Sequence, residues 1–100
     1  MNKIVVQVKR LSEDVPVPTY AYDGDAAFDL YSRDDVSVES GERVAVPTGI
    51  ALAIPEGYVG LIWDKSGLAI KKGLKTLGGV VDSGYRGEVL VGILNTDKEV

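Results

Sequence analysis

Apolar and polar positions alternate with a period near two over several short stretches, the spacing of strands with one buried face. Residues 3–9 do so imperfectly around Ile4, Val6 and Val8, which predicts a half-buried strand. Val36-Ser37-Val38-Glu39 and Arg43-Val44-Ala45-Val46 alternate cleanly on either side of Ser40-Gly41-Glu42, so a hairpin is expected there, ending at Pro47. Residues 50–54 and 58–63 predict another β pair across Pro55-Glu56-Gly57. Val15-Pro16-Val17-Pro18 is a connector or an edge, because neither proline has an N–H to give to a ladder. After the Asp23-Gly24-Asp25 turn, Ala26-Ala27-Phe28-Asp29-Leu30-Tyr31 is an apolar run broken by a single acid.

One segment departs from this period. Ser66-Gly67-Leu68-Ala69-Ile70-Lys71-Lys72-Gly73 predicts a short helix, capped by Ser66 and closed by two lysines and Gly73, as the helix dipole favours. The β pattern returns at Thr76 and runs through Glu88-Val89-Leu90-Val91-Gly92-Ile93-Leu94-Asn95. Strands at this spacing, with turn signals between them, predict an all-β sandwich or barrel with one short helix. Between the last strands, the stretch from Leu77 to Gly87 sets β-formers and one carboxylate among glycines. It reads as a hairpin presenting Asp82 and Tyr85, either to a ligand or as a plain turn.

Composition narrows the chemistry. A chain of 100 residues, 45% of them hydrophobic, is one domain with a single core and little to spare. It has no cysteine and no histidine, which removes thiol nucleophiles, disulfides, Cys or His zinc sites and imidazole bases together. Catalysis then rests on carboxylates, hydroxyls, Lys and Arg, with or without a hard metal ion. The net charge of −4 argues against a nucleic-acid surface. The start Met1-Asn2-Lys3-Ile4-Val5-Val6 lacks the long apolar run of a signal peptide and nothing approaches a membrane span, so a cytoplasmic location is expected.

Three places carry candidate chemistry. Lys65-Ser66-Gly67 at a helix start offers backbone N–H groups, a hydroxyl, an ammonium and an unobstructed approach to a phosphate, or it is simply a cap. Asp29 lies inside an apolar run, turned either to solvent or to a ligand. With His and Cys absent, Asp82 is the natural base for activating a water, unless it only closes a turn.

Gly79-Val80-Val81-Asp82-Ser83-Gly84-Tyr85-Arg86-Gly87 resembles the third motif of the trimeric dUTPase family, the dUTP nucleotidohydrolases. Ala26-Ala27-Phe28-Asp29-Leu30 and Lys65-Ser66-Gly67-Leu68-Ala69 resemble its first and second motifs, in the same order. The resemblance implies a β-clip, jelly-roll-like fold and hydrolysis of dUTP to dUMP and pyrophosphate, which keeps uracil out of DNA and supplies dUMP for thymidylate synthesis. It further implies that Asp82 orients and deprotonates the attacking water, and that Lys65, Ser66 and Gly67 bind the phosphates. Asp29 would hold Mg²⁺ through water, and Tyr85 would support the deoxyribose and exclude a 2′-hydroxyl. Thr76, Val80, Val81 and Leu90 would hold uracil. A homotrimer with sites between subunits is implied as well.

The chain departs from the family pattern at Lys65, where arginine is usual and a bidentate fork is lost, and at Ala27, where glycine is usual. Two later family motifs, a Gly-Asp-Arg type segment and a glycine-rich arm, have no counterpart before Val100, so a single domain truncated at that point and weak or absent activity in this form are expected. The related dCTP deaminases share the fold, but their catalytic glutamate falls at Gly92, which has no proton to shuttle. A non-catalytic binding or assembly module is the remaining reading.

Overall fold

The computed structural model describes residues 3–100. Its elements in chain order are β1 (Gln7–Arg10), β2 (Arg43–Ala53), β3 (Gly60–Leu61), α1 (Ser66–Lys72), β4 (Leu74–Leu77), β5 (Val80–Val81) and β6 (Glu88–Asn95). An antiparallel sheet runs β1-β2-β6-β4, and β3 and β5 form a separate antiparallel ribbon. The expected all-β architecture with one short helix is present.

The long strand β2 replaces two strands expected from the sequence. Pro47 does not end it. Pro47 faces Leu90 on β6, and the pairing then slips before resuming at Ala51 opposite Glu88. Gly49 supplies the bend, with φ of +73°. Its N–H is taken by the Glu88 carboxylate at 2.9 Å, and the Thr48 hydroxyl donates to the Val89 carbonyl at 2.7 Å. The bulge therefore lets one strand serve two neighbours, β6 along residues 43–47 and β1 along residues 50–53.

Three sequence-based pairings are corrected. Residues 36–39 turn into β2 without forming a strand, because β6 is the partner of residues 43–47; Val38 is instead tied to the end of β6 by the Asn95 side-chain amide at 2.8 Å. β3 pairs with β5 and not with residues 50–54, which β1 already occupies. The stretch from Leu77 to Gly87 is no simple hairpin: β4 and β6 pair with each other, Leu77 opposite Gly92, and β5 leaves them to join β3. The first strand begins at Gln7 and not at Lys3, and residues 26–31 are irregular. Met1 and Asn2 lie outside the described residues.

The core joins Ile50, Leu52 and Ile54 to Val15, Val81 and Val89, with Val8, Leu30 and Ile62 packed against it. Ladder partners share a sheet face, so Val46, Val91, Ile93, Thr76 and Leu74 lie on the same side as Val89. Away from Val89 that face is only half-buried and opens into a cavity of about 920 Å³, closed on its far side by residues 26–38.

Candidate functional site

α1 is entered through Lys65, which is the N-cap, with extended backbone and no side-chain cap hydrogen bond. Ser66 is the first helical residue and not the cap that the sequence suggested, so its hydroxyl is not spent on closing the helix. A Cβ built on Gly67 would meet nothing within 4 Å, so the surface over this turn is open. At the other end Gly73 takes the left-handed conformation, φ +69°, as expected, with Lys71 and Lys72 in the last turn.

Lys65 reaches across the chain to Asp29, with Nζ 3.2 Å from Oδ2. Asp29 is half-buried on the irregular segment that Leu30 anchors to the core and that Phe28 steadies by an edge-to-face contact with Tyr20, centroids 5.9 Å apart. Two of the three candidate segments are thus brought together. Both residues line the cavity described above, as do Val81, Thr76 and Asp64.

Asp64 was not a candidate from sequence, yet it is the most heavily bonded carboxylate of this region. Its Oδ1 accepts from the Thr76 N–H at 2.8 Å and the Thr76 hydroxyl at 2.5 Å, and its Oδ2 accepts from Lys75 Nζ at 2.9 Å. The Thr76 hydroxyl first, then Lys75, hold its pKa down from 3.8 to about 2. No spacing rule links position 64 to positions 75 and 76; only the placement of α1 against β4 does. The consequence for Thr76, a candidate uracil contact, is that its amide and hydroxyl are both committed to Asp64.

Asp82 and Tyr85 sit on a separate turn. The Asp82 carbonyl accepts the Tyr85 N–H at 3.1 Å, and the Asp82 side chain is exposed. Tyr85 donates its hydroxyl to the Glu88 carbonyl at 2.7 Å and lays its ring over Gly87, where a Cβ would approach the hydroxyl to 2.7 Å. Among the described residues no hydrogen bond or ion pair joins Asp82 to Asp29, Lys65 or Ser66, and Asp82 does not line the cavity that Asp29 and Lys65 share. Val81 is buried and Val80 exposed on the β3-β5 ribbon, and Leu90 is exposed on β6. Gly92 packs against Leu77, whose carbonyl would lie 2.9 Å from an added Cβ, so the strand leaves no room for a side chain there.

Among the described residues no group of three or more metal-ligating side chains gathers, and no helix is long and apolar enough to cross a membrane. Mg²⁺ keeps several waters and is commonly held by one or two carboxylates together with substrate phosphates, a donor set that Asp29 beside the open turn at Gly67 fits.

The fold is that of a small jelly-roll-like domain with one short helix. The family model for dUTPase matches residues 13–100, and the chain belongs to that family. It is 54% identical over 92 residues to the deoxyuridine 5'-triphosphate nucleotidohydrolase of Mycolicibacterium vanbaalenii, covering 90% of this chain and 60% of the relative. The Rhodococcus erythropolis enzyme of that name is 52% identical over 98 residues, covering 96% and 60%. A mutant dUTPase from phage phi11 of Staphylococcus aureus, whose structure concerns coordination of a structural Mg(II) ion, superposes with a TM-score of 0.87 at 37% identity, covering 92% of this chain and 60% of that one. The Staphylococcus bacteriophage 80alpha dUTPase with dUPNHPP gives the same score and identity over 92% and 54%. The chain thus spans about 60% of the length of the curated relatives it matches.

Proposed function

We propose that this chain carries the greater part of a Mg²⁺-dependent dUTP diphosphatase site, releasing dUMP and pyrophosphate. The observation that carries this is the meeting of Lys65 with Asp29 at 3.2 Å, which joins the first and second family segments into one polar patch beside an open turn. Asp82 accepts a proton from a water that attacks the α-phosphorus. The α–β anhydride bond breaks, and the bonding pair leaves with pyrophosphate. Lys65 with the Ser66 hydroxyl and the Ser66 and Gly67 amides holds the phosphoryl oxygens. Asp29 would hold Mg²⁺ through water, and the ion would supply charge neutralisation on the triphosphate. Tyr85 packs on the deoxyribose, and the backbone of Val80 and Val81, with Leu90 beside it, lines the uracil site; Thr76 contributes through Asp64.

The separation of Asp82 from the Asp29–Lys65 pair within one chain favours a homotrimer in which a neighbouring copy brings Asp82 to that pair. We place the protein in the cytoplasm, acting on nucleotides and not on nucleic acid or membrane. Pyrophosphate release from dUTP in the presence of Mg²⁺ tests the reading and is the expected outcome. Ammonia release from dCTP favours a deaminase, and no binding of a non-hydrolysable dUTP analogue favours a non-catalytic module.

A further inference from the structure

α1 has no buried side chain, so apolar packing does not fix where it sits. Its ends are held by polar contacts instead. At the C-terminal end the Gly73 carbonyl accepts both the N–H of Thr96 at 2.8 Å and its hydroxyl at 2.6 Å. At the N-terminal end the corresponding anchor is Asp64, one peptide unit before Lys65, bonded to Thr76 and Lys75 on β4.

We propose that Asp64 is a positioning residue, clamping the Lys65-Ser66-Gly67 turn to β4 so that Lys65 meets Asp29 and the turn faces the phosphates. The proposal rests on the phosphate-site reading above. With one oxygen taking two donors from Thr76 and the other taking an ammonium, three of the carboxylate's roughly four acceptor sites are committed to β4, which suits an anchor. The contacts form a continuous path from the sheet through Thr76, Asp64 and Lys65 to Asp29. Swinging the turn away from β4 breaks that path at the hydrogen bonds between Asp64 and Thr76.

Asp64→Ala in the full-length protein tests this by amide hydrogen exchange and by affinity for a non-hydrolysable dUTP analogue and for dUMP. Exchange at the hydrogen-bonded amides of residues 69–73 is expected to quicken by about tenfold or more, with β2 and β6 unchanged. Affinity for the triphosphate analogue falls about tenfold and affinity for dUMP by less than about twofold, since the turn holds phosphates and not the base. Unchanged exchange in α1, or equal losses for both ligands, overturns the proposal. If the wild type binds neither nucleotide, the diphosphatase reading fails and the exchange result alone decides the role of Asp64. Should Asp64→Ala not fold, Asp64→Asn, which keeps an acceptor for the Thr76 N–H but loses the charge facing Lys75, is read the same way.

Discussion

Lys65 Nζ and Asp29 Oδ2 lie 3.2 Å apart although 36 positions separate the two residues in the chain. A contact this distant in sequence, between side chains that keep 64% and 36% of their exposure, does little for the fold. Exposed ion pairs contribute about 0 to 1 kcal/mol. In the proposed site it places an ammonium and a carboxylate side by side where a metal-bound triphosphate needs both.

Asp29→Ala is therefore expected to change unfolding free energy by less than about 1 kcal/mol in urea titrations. In the same variant, Mg²⁺ should no longer strengthen binding of a non-hydrolysable dUTP analogue. A large loss of stability, or an intact Mg²⁺ effect, contradicts the placement of the metal.

Acid should release the α1 anchor over a defined range. The folded pKa of Asp64 is about 2, below its ordinary 3.8, so its contribution is complete above about pH 4 and is lost as pH falls towards 2. Helix amide exchange, corrected for intrinsic rates, should be flat from pH 7 to about 4 and quicken below that. Asp14, on the segment after β1, is lowered too, chiefly by the Ser12 hydroxyl, so Asp64→Asn identifies the residue responsible: in it the acid step at α1 disappears.

The β3-β5 ribbon depends on close backbone approach. Gly79 has φ of +101°, its carbonyl accepts the Ile62 N–H at 2.7 Å, and an added Cβ would lie 2.7 Å from the Ile62 carbonyl oxygen. Gly79→Ala is expected to cost about 2 to 3 kcal/mol in urea denaturation, from a strained dihedral and a contact with backbone that has no easy way to yield. A change below about 0.5 kcal/mol would show that the ribbon is not held this way.

Much of this architecture was legible because strands announce themselves locally. Period-two alternation located the strand at 43–46, runs of β-forming residues located those at 50–54 and 88–95, and Gly73 and the paired lysines located the end of α1. Pairing was not legible, since it depends on which distant strand reaches an edge first. Pro47 read as a stop because the bulge that accommodates it involves Val15 and Glu88, far away in the chain. Asp29, Lys65 and Asp82 were marked by residue type and motif. Asp64 was not, because its partners Lys75 and Thr76 reach it only once α1 has folded against β4.

The most direct measurement compares pyrophosphate release from dUTP and Mg²⁺ by the full-length protein and its Asp82→Asn variant. A general base contributes about 10² to 10⁴ in rate, so the variant should be at least about a hundredfold slower while its affinity for the non-hydrolysable analogue holds. Equal rates in the two proteins would contradict the assignment of Asp82 and with it the mechanism set out for this chain.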